Sequence, residues 1–163
     1  MSEPVGDRPD MPEGYLGAAP LPWRWAVEQL TGARNYWVTS IGAQGRPHVR
    51  PVWGVWLDDT VQFSTGARHG ANIARDPHVT VNLESGDDCV IVEGTATGVK
   101  EPAARRAFAA DYEQKYNWPM TLEFVDVVYV VRPRIVLGWI ARDIAAEATL
   151  FQATATRWTF PAG

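Results

Sequence analysis

Cysteine is nearly absent from this sequence: Cys89 is the only one among 163 residues. An internal disulfide is therefore excluded, which agrees with a reducing, cytoplasmic setting. Lysine is almost as scarce. Lys100 and Lys115 are the only lysines among fifteen cations, and the rest are arginines, which suit bidentate contacts to phosphate or carboxylate. No uninterrupted apolar run approaches the ~18 residues of a membrane span. The first residues lack the charged start and apolar stretch of a signal peptide. A cytoplasmic chain with no membrane partner is expected. The net charge is −4 and no basic stripe occurs, which argues against a nucleic-acid partner.

Several sequence motifs are also missing. There is no GxGxxG and no P-loop, so a Rossmann-type dinucleotide site is not expected. CxxC and HExxH are absent, and His48, His69 and His78 fall on separate segments. No metal site is expected from that distribution. Without GxSxG, a nucleophile elbow is excluded.

What is present is ordinary for one soluble domain in bulk: 46% apolar and 21% charged residues. A chain of this length buries roughly 70% of its unfolded surface, enough for a core without covalent staples. Eight tryptophans are the exception to that ordinariness. Residues 1–20, rich in Pro, Gly and acid, read as a flexible N-terminal arm, and residues 21–163 as a single domain.

Pro22 opens a short helix in which Trp23, Val27 and Leu30 recur at helical spacing, and Gly32 stops it. From Asn35 the pattern turns to β. Strands are expected over Tyr36–Ile41, His48–Trp56 and Val61–Thr65, joined by short turns in an antiparallel meander. Pro51 inside the second strand requires an edge position or a bulge, because proline donates no ladder bond. Gly66–Gly70 reads as a loop and Ala71–Arg75 as one helical turn. Strands His78–Leu83 and Cys89–Lys100 follow. Pro102 then starts a helix reaching Tyr116, with Ala103, Ala107, Phe108 and Ala110 as its packing positions. Val125–Val131 and Ile135–Ala141 read as two strands linked by Arg132–Pro133–Arg134, and Arg157–Phe160 as a short terminal strand. The expected architecture is mainly β with helices: six to seven largely antiparallel strands in a barrel with two to three flanking helices.

The chemistry-bearing residues concentrate between Gly45 and Leu83. Ser64, Thr65, Arg68, His69 and Asn72 gather where strands end in a polar loop feeding a helix start. Free backbone N–H groups there make a phosphate cradle. Arg50, Pro51, Val52 and Trp53 on the neighbouring strand offer an edge for a flat ring.

Taken together, several segments resemble the pyridoxamine-phosphate-oxidase-like split barrels, and in particular their flavin- and deazaflavin-dependent actinobacterial oxidoreductases. They are Pro47-His48-Val49-Arg50-Pro51-Val52-Trp53-Gly54-Val55-Trp56, Phe63-Ser64-Thr65-Gly66, Asn72-Ile73-Ala74-Arg75-Asp76-Pro77, Leu83-Glu84-Ser85-Gly86-Asp87-Asp88, Glu93-Gly94-Thr95-Ala96 and Ala155-Thr156-Arg157-Trp158-Thr159-Phe160. The resemblance spans roughly residues 23–160. It implies a split β-barrel and a homodimer with cofactor sites at the interface. It implies FMN or coenzyme F-420 as cofactor, and hydride transfer to a small conjugated substrate. By the same resemblance Arg50–Trp53 lie along the ring system and Ser64–Asn72 hold the phosphate. Relatives carry Ser-Arg-Lys where this chain has Ala67-Arg68-His69, so a histidine stands in place of the phosphate lysine. No catalytic acid or base is assigned, since hydride chemistry belongs to the cofactor.

Each residue also has a structural reading. Arg50 is a cofactor contact or a cross-strand partner, and His69 a ligand contact or an exposed loop residue. Ser64 and Thr65 bind ligand or cap a turn. Asn72 is a helix-start residue, Cys89 an inert core thiol, and Glu93 an arginine partner or a catalytic group. Trp53, Trp56 and Trp139 wall a pocket or fill the core. Trp118, Arg157 and Trp158 reach a partner's site or pack locally. The alternative function is a non-catalytic split barrel that binds flavin, haem or a bilin, with a histidine as axial ligand in the haem case.

Overall fold

A computed structural model describes residues 3–9, 20–141 and 154–160. Nine strands and three helices occur among them: β1 (Gly6–Asp7), α1 (Trp23–Gly32), β2 (Tyr36–Ile41), β3 (Pro47–Val52), β4 (Gly54–Leu57), β5 (Thr60–Phe63), α2 (Ala67–Arg75), β6 (His78–Asn82), β7 (Asp88–Val99), α3 (Pro102–Tyr116), β8 (Val128–Ile140) and β9 (Thr156–Thr159). Every pairing is antiparallel. The strand order is β1-β9-β8-β7-β6-β2-β3, and β5 joins β4 to β8. The long β7–β8 pair is the spine. β6, β2 and β3 extend from β7, while β5 and β9 both pair with β8. This is the expected split-barrel architecture, with nine strands among the described residues where six to seven were expected.

The strand expected over His48–Trp56 is two strands. β3 pairs only with β2, and β4 only with β5, so the chain leaves one wing of the sheet at Trp53 and joins the other. Continuous β texture in the sequence cannot show that change of partner. Pro51 lies on the edge strand β3, as its missing N–H requires. Conversely, the two strands expected around Arg132–Pro133–Arg134 are one. β8 runs through with a register shift at Glu93/Gly94, where Glu93 faces Ile135 and Gly94 faces Pro133. The bulge absorbs the proline. A Cβ on Gly94 would collide with the Arg132 carbonyl, so glycine is needed for the two backbones to approach.

The main core joins α1 to the barrel. Trp23, Ala26 and Leu30 are its buried α1 residues. Trp23 meets Trp56, Trp158 and Phe160 edge-on, with centroids 6.0, 5.5 and 5.3 Å away. Such aromatic pairs add to area burial. Trp158 is fully buried and therefore belongs to this core, not to a partner-facing surface. A second cluster forms under α3 from Val55, Phe108, Tyr112, Val125 and Val128. The helix packs through Phe108, Ala109 and Tyr112; the expected packing positions Ala103, Ala107 and Ala110 are exposed. Within the N-terminal arm, Gly6 and Asp7 pair with Trp158 and Arg157 of β9. No described helix is long and apolar enough to cross a membrane.

Candidate functional site

The helix α2 sets the geometry of the site. It begins at Ala67, so the expected loop Gly66–Gly70 is largely helical, and Arg68 and His69 stand in its first turn. Gly66 precedes it with no side-chain cap, and no acid occupies the first turn. The leading N–H groups of a helix lack intrahelical acceptors and carry partial positive charge. Two cationic residue types at that end run against the helix dipole, an arrangement that an anion would reverse.

His69 is 3% exposed, which overturns its reading as an exposed loop residue. Its Nδ1 lies 2.9 Å from the Ser40 hydroxyl on β2. Asn72 Nδ2 donates to the same hydroxyl at 3.0 Å. Arg75 fixes the Asn72 amide by donating to its Oδ1 at 3.2 Å, while also donating to the Ile41 carbonyl at 2.6 Å. Ser40 thus accepts from Asn72 and shares a hydrogen bond with His69 Nδ1, donating to it or accepting from it according to the ring tautomer. The His69 Nε2 is buried without a hydrogen-bond partner. Asn72 is therefore not a helix-start residue but a mid-helix strut that orients His69 through Ser40.

His48 on β3 adds a second imidazole, its centroid 4.6 Å from that of His69 with planes at 57°. Its Nδ1 is likewise enclosed without a partner. Both rings are held below the ordinary imidazole pKa. Burial is the leading cause for each. Arg50 and Arg68 add to it at His48, and His48 and Arg50 at His69. Arg50 and Arg68 crowd these rings, and among the described residues no carboxylate lines the groove.

The groove is open, about 450 Å³, and lined by His48, Arg50, Pro51, Thr65, Gly66, Arg68 and His69. A second groove of about 500 Å³ is lined by Ser64, Thr65, Gly66, Trp118, Met120 and Phe124. The two share Thr65 and Gly66. One is cationic and the other largely apolar, with Trp118 60% and Phe124 79% exposed. Trp118 and Phe124 thus give this groove an exposed aromatic wall.

Of the sequence-derived site residues, Arg50, Pro51, Thr65, Arg68 and His69 come together in the cationic groove. Ser64 lies at the aromatic groove, where its hydroxyl donates to the Val127 carbonyl at 3.0 Å. Asn72 stands behind His69. Val52 turns into the core. Trp53 is not at the groove: it stacks on Tyr116 at 4.8 Å and 5°, beneath the Arg34 guanidinium at 5.1 Å. Sequence reasoning missed Ser40, Met120 and Phe124, and gave His48 no role. Only the proximity of β2 and β3 to α2 reveals His48 and Ser40. Elsewhere, Glu93 accepts from Arg134 at 3.0 Å, matching its reading as an arginine partner. Cys89 is buried and its thiol is pushed up to about 11 by burial, as an inert core thiol requires. Among the described residues no group of three or more metal-ligating side chains occurs.

Residues 25–157 match the family model of pyridoxamine 5'-phosphate oxidase. Among solved structures, a conserved hypothetical protein from Mycobacterium tuberculosis is 21% identical, with 89% of this chain and 91% of that chain covered and a TM-score of 0.65. An F-420 reductase is 24% identical over 77% of this chain and 98% of that one, with a TM-score of 0.55. A heme binding protein from Mycobacterium smegmatis is 21% identical over 69% and 51%, at 0.54. None of the curated proteins is significantly similar.

Proposed function

The chain belongs to the pyridoxamine 5'-phosphate oxidase family, and from that premise we propose that it is an oxidoreductase. In this reading it holds coenzyme F-420 or FMN and passes a hydride to a small conjugated substrate. The observation that supports this is the junction at Thr65–Gly66. A cationic groove at an uncapped helix start runs directly into an aromatic-lined groove. That pairing fits a ligand with an anionic phosphoryl tail and a flat apolar ring. When bound, the cofactor would supply hydride transfer. Arg50, Arg68, Thr65 and the N–H groups of α2 would hold its phosphate, each charge-assisted hydrogen bond contributing about 1.5–3 kcal/mol. Trp118, Met120 and Phe124 would exclude water from the ring.

Two copies are proposed to act together. β3 is an edge strand that exposes Val49 beside the cationic groove, and Trp118 and Phe124 are exposed beside the other. A second copy covering both would close the grooves into one site. The F-420 reductase of the same fold favours the deazaflavin. Fluorescence titration with coenzyme F-420 and with FMN tests the reading. Micromolar binding of the deazaflavin alone is expected. Tight FMN binding alone would shift the assignment to a flavin enzyme, and binding of neither would overturn it.

The buried imidazole at the groove favours one second reading, a haem-binding module. Iron ligation requires a bare Nε2, so the ring proton would have to sit on Nδ1 and be donated to Ser40. A Soret band on haem addition that is lost in His69→Ala would establish it.

A further inference from the structure

We propose that His48 and His69 make the cationic groove a proton-coupled oxyanion site, in which this imidazole pair takes up one proton from solvent as a phosphoryl dianion binds. The phosphoryl identity rests on the flavin reading above; the proton coupling does not.

Three independent features converge on the groove. The first is a nine-residue helix with its start uncapped and free of acids. The second is His69, a buried residue that lines the groove and whose Nε2 has no hydrogen-bond partner. The third is a second imidazole 4.6 Å away whose Nδ1 is also enclosed and unpartnered. The charged groups facing the pair are Arg50 on β3 and Arg68 on α2. Arg75 stands behind it on Asn72, and β2 contributes only the neutral Ser40. With Arg50 and Arg68 facing it and no acid among the described lining residues, the unliganded pair resists protonation. A dianion placed among these groups reverses the sign of the local field, so a proton on either ring becomes favourable. A lysine at position 69 would be charged before and after, leaving His48 as the one ring of the pair able to take up the proton.

Ser40 permits the change. With His69 neutral and its proton on Nε2, the hydroxyl donates to Nδ1. With the ring protonated, Nδ1–H donates to the Ser40 oxygen, which has lone pairs for both Nδ1 and Asn72. His69 then presents a charged Nε2–H to the ligand. The proton comes from solvent and returns to it on release.

By linkage, affinity rises as pH falls between the bound-state and free-state titrations of the pair, by up to about tenfold per pH unit for one proton, and flattens outside that window. Phosphate monoesters titrate near pH 6 themselves, so the probe is sulfate, whose charge is constant between pH 5.5 and 8. Sulfate binding to the full chain, followed by calorimetry in buffers of different ionisation enthalpy, is expected to tighten toward low pH with proton uptake. His48→Gln combined with His69→Lys is expected to bind sulfate with a flat profile. Because a buried lysine can impair folding, the unaltered protein supplies a second readout. Its His48 and His69 ring signals are expected to titrate at higher pH by a unit or more in saturating sulfate. A pH-independent affinity, an equal slope in a folded His48→Gln/His69→Lys protein, unmoved ring signals, or no oxyanion binding at any pH each overturns the proposal. Coupled sulfate binding with neither F-420 nor FMN bound would leave it standing while removing the flavin reading.

Discussion

Ser40 shows how much of the site depends on one hydroxyl. It is fully buried, and it satisfies His69 Nδ1 and Asn72 Nδ2 together. Removing it leaves two buried polar groups unpaired, each costing about 1–3 kcal/mol. Ser40→Ala is therefore expected to lower stability by about 2 kcal/mol in urea melts and to weaken anion binding. A loss under about 0.5 kcal/mol would show that the network is not closed as described. Cys89 provides a second check at this scale. With its thiol pushed up to about 11, it is expected to resist disulfide reagents at pH 8 until the protein unfolds, and prompt labelling of the native protein would contradict its burial. The unpartnered imidazoles carry a stability consequence as well. Their folded-state pKa values lie below the ordinary 6.5, so the unfolded chain takes protons first. Unliganded stability falls as pH drops through about 6.5, and sulfate is expected to offset the loss.

At the scale of elements, α3 meets β2 through a lysine without an acid. Lys115 Nζ donates to the Tyr36 hydroxyl at 2.8 Å and lies over the Tyr36 ring at 4.6 Å. Burial lowers its pKa to about 8 from 10.5. Between those values the unfolded chain binds the proton more readily, so this group makes stability rise with pH from about 8 to 10.5. Cys89 acts in the opposite sense above pH 9, so the difference from Lys115→Met is the readout. The stability gap between the two proteins is expected to change by on the order of 1–2 kcal/mol across that window, reduced by partial solvent screening; a constant gap would refute the assignment. Gly94 governs a different element contact. Gly94→Ala drives a Cβ into the Arg132 carbonyl, and displacement of β8 is expected to cost about 1–3 kcal/mol, measured by denaturant midpoint at unchanged m-value. Between β3 and α2 the arrangement has two uses. Arg50 and the prolines Pro47 and Pro51 blunt an edge strand against unwanted pairing, and the same arginine faces the groove.

At the scale of the molecule, the spine β7–β8 holds two wings, and the grooves lie open on one copy. The proposed dimer should show a sedimentation mass twice the 18.1 kDa of the chain. Trp118→Ala with Phe124→Ala is expected to weaken both self-association and cofactor binding by tenfold or more. A double variant that stays dimeric and binds normally would remove this surface from the site.

The sequence by itself determined the β-rich plan, the starts of α1 and α3, the edge position of Pro51, and the clustering of Arg50, Thr65, Arg68 and His69. Those follow from local causes: proline lacks an N–H, polar residues gather at strand ends, and apolar residues keep a helical or alternating period. Tertiary structure alone decided that the chain changes wings at Trp53, that β8 continues through Pro133, and that α2 starts four residues earlier than its apolar pattern indicates. It also decided that His69 is buried. Ser40 and His48 lie 29 and 21 positions before it in the sequence, and no local pattern records that β2 and β3 fold back against α2. Proton affinity depends on which charges and how much water surround a ring, and that environment exists only once these three elements have packed.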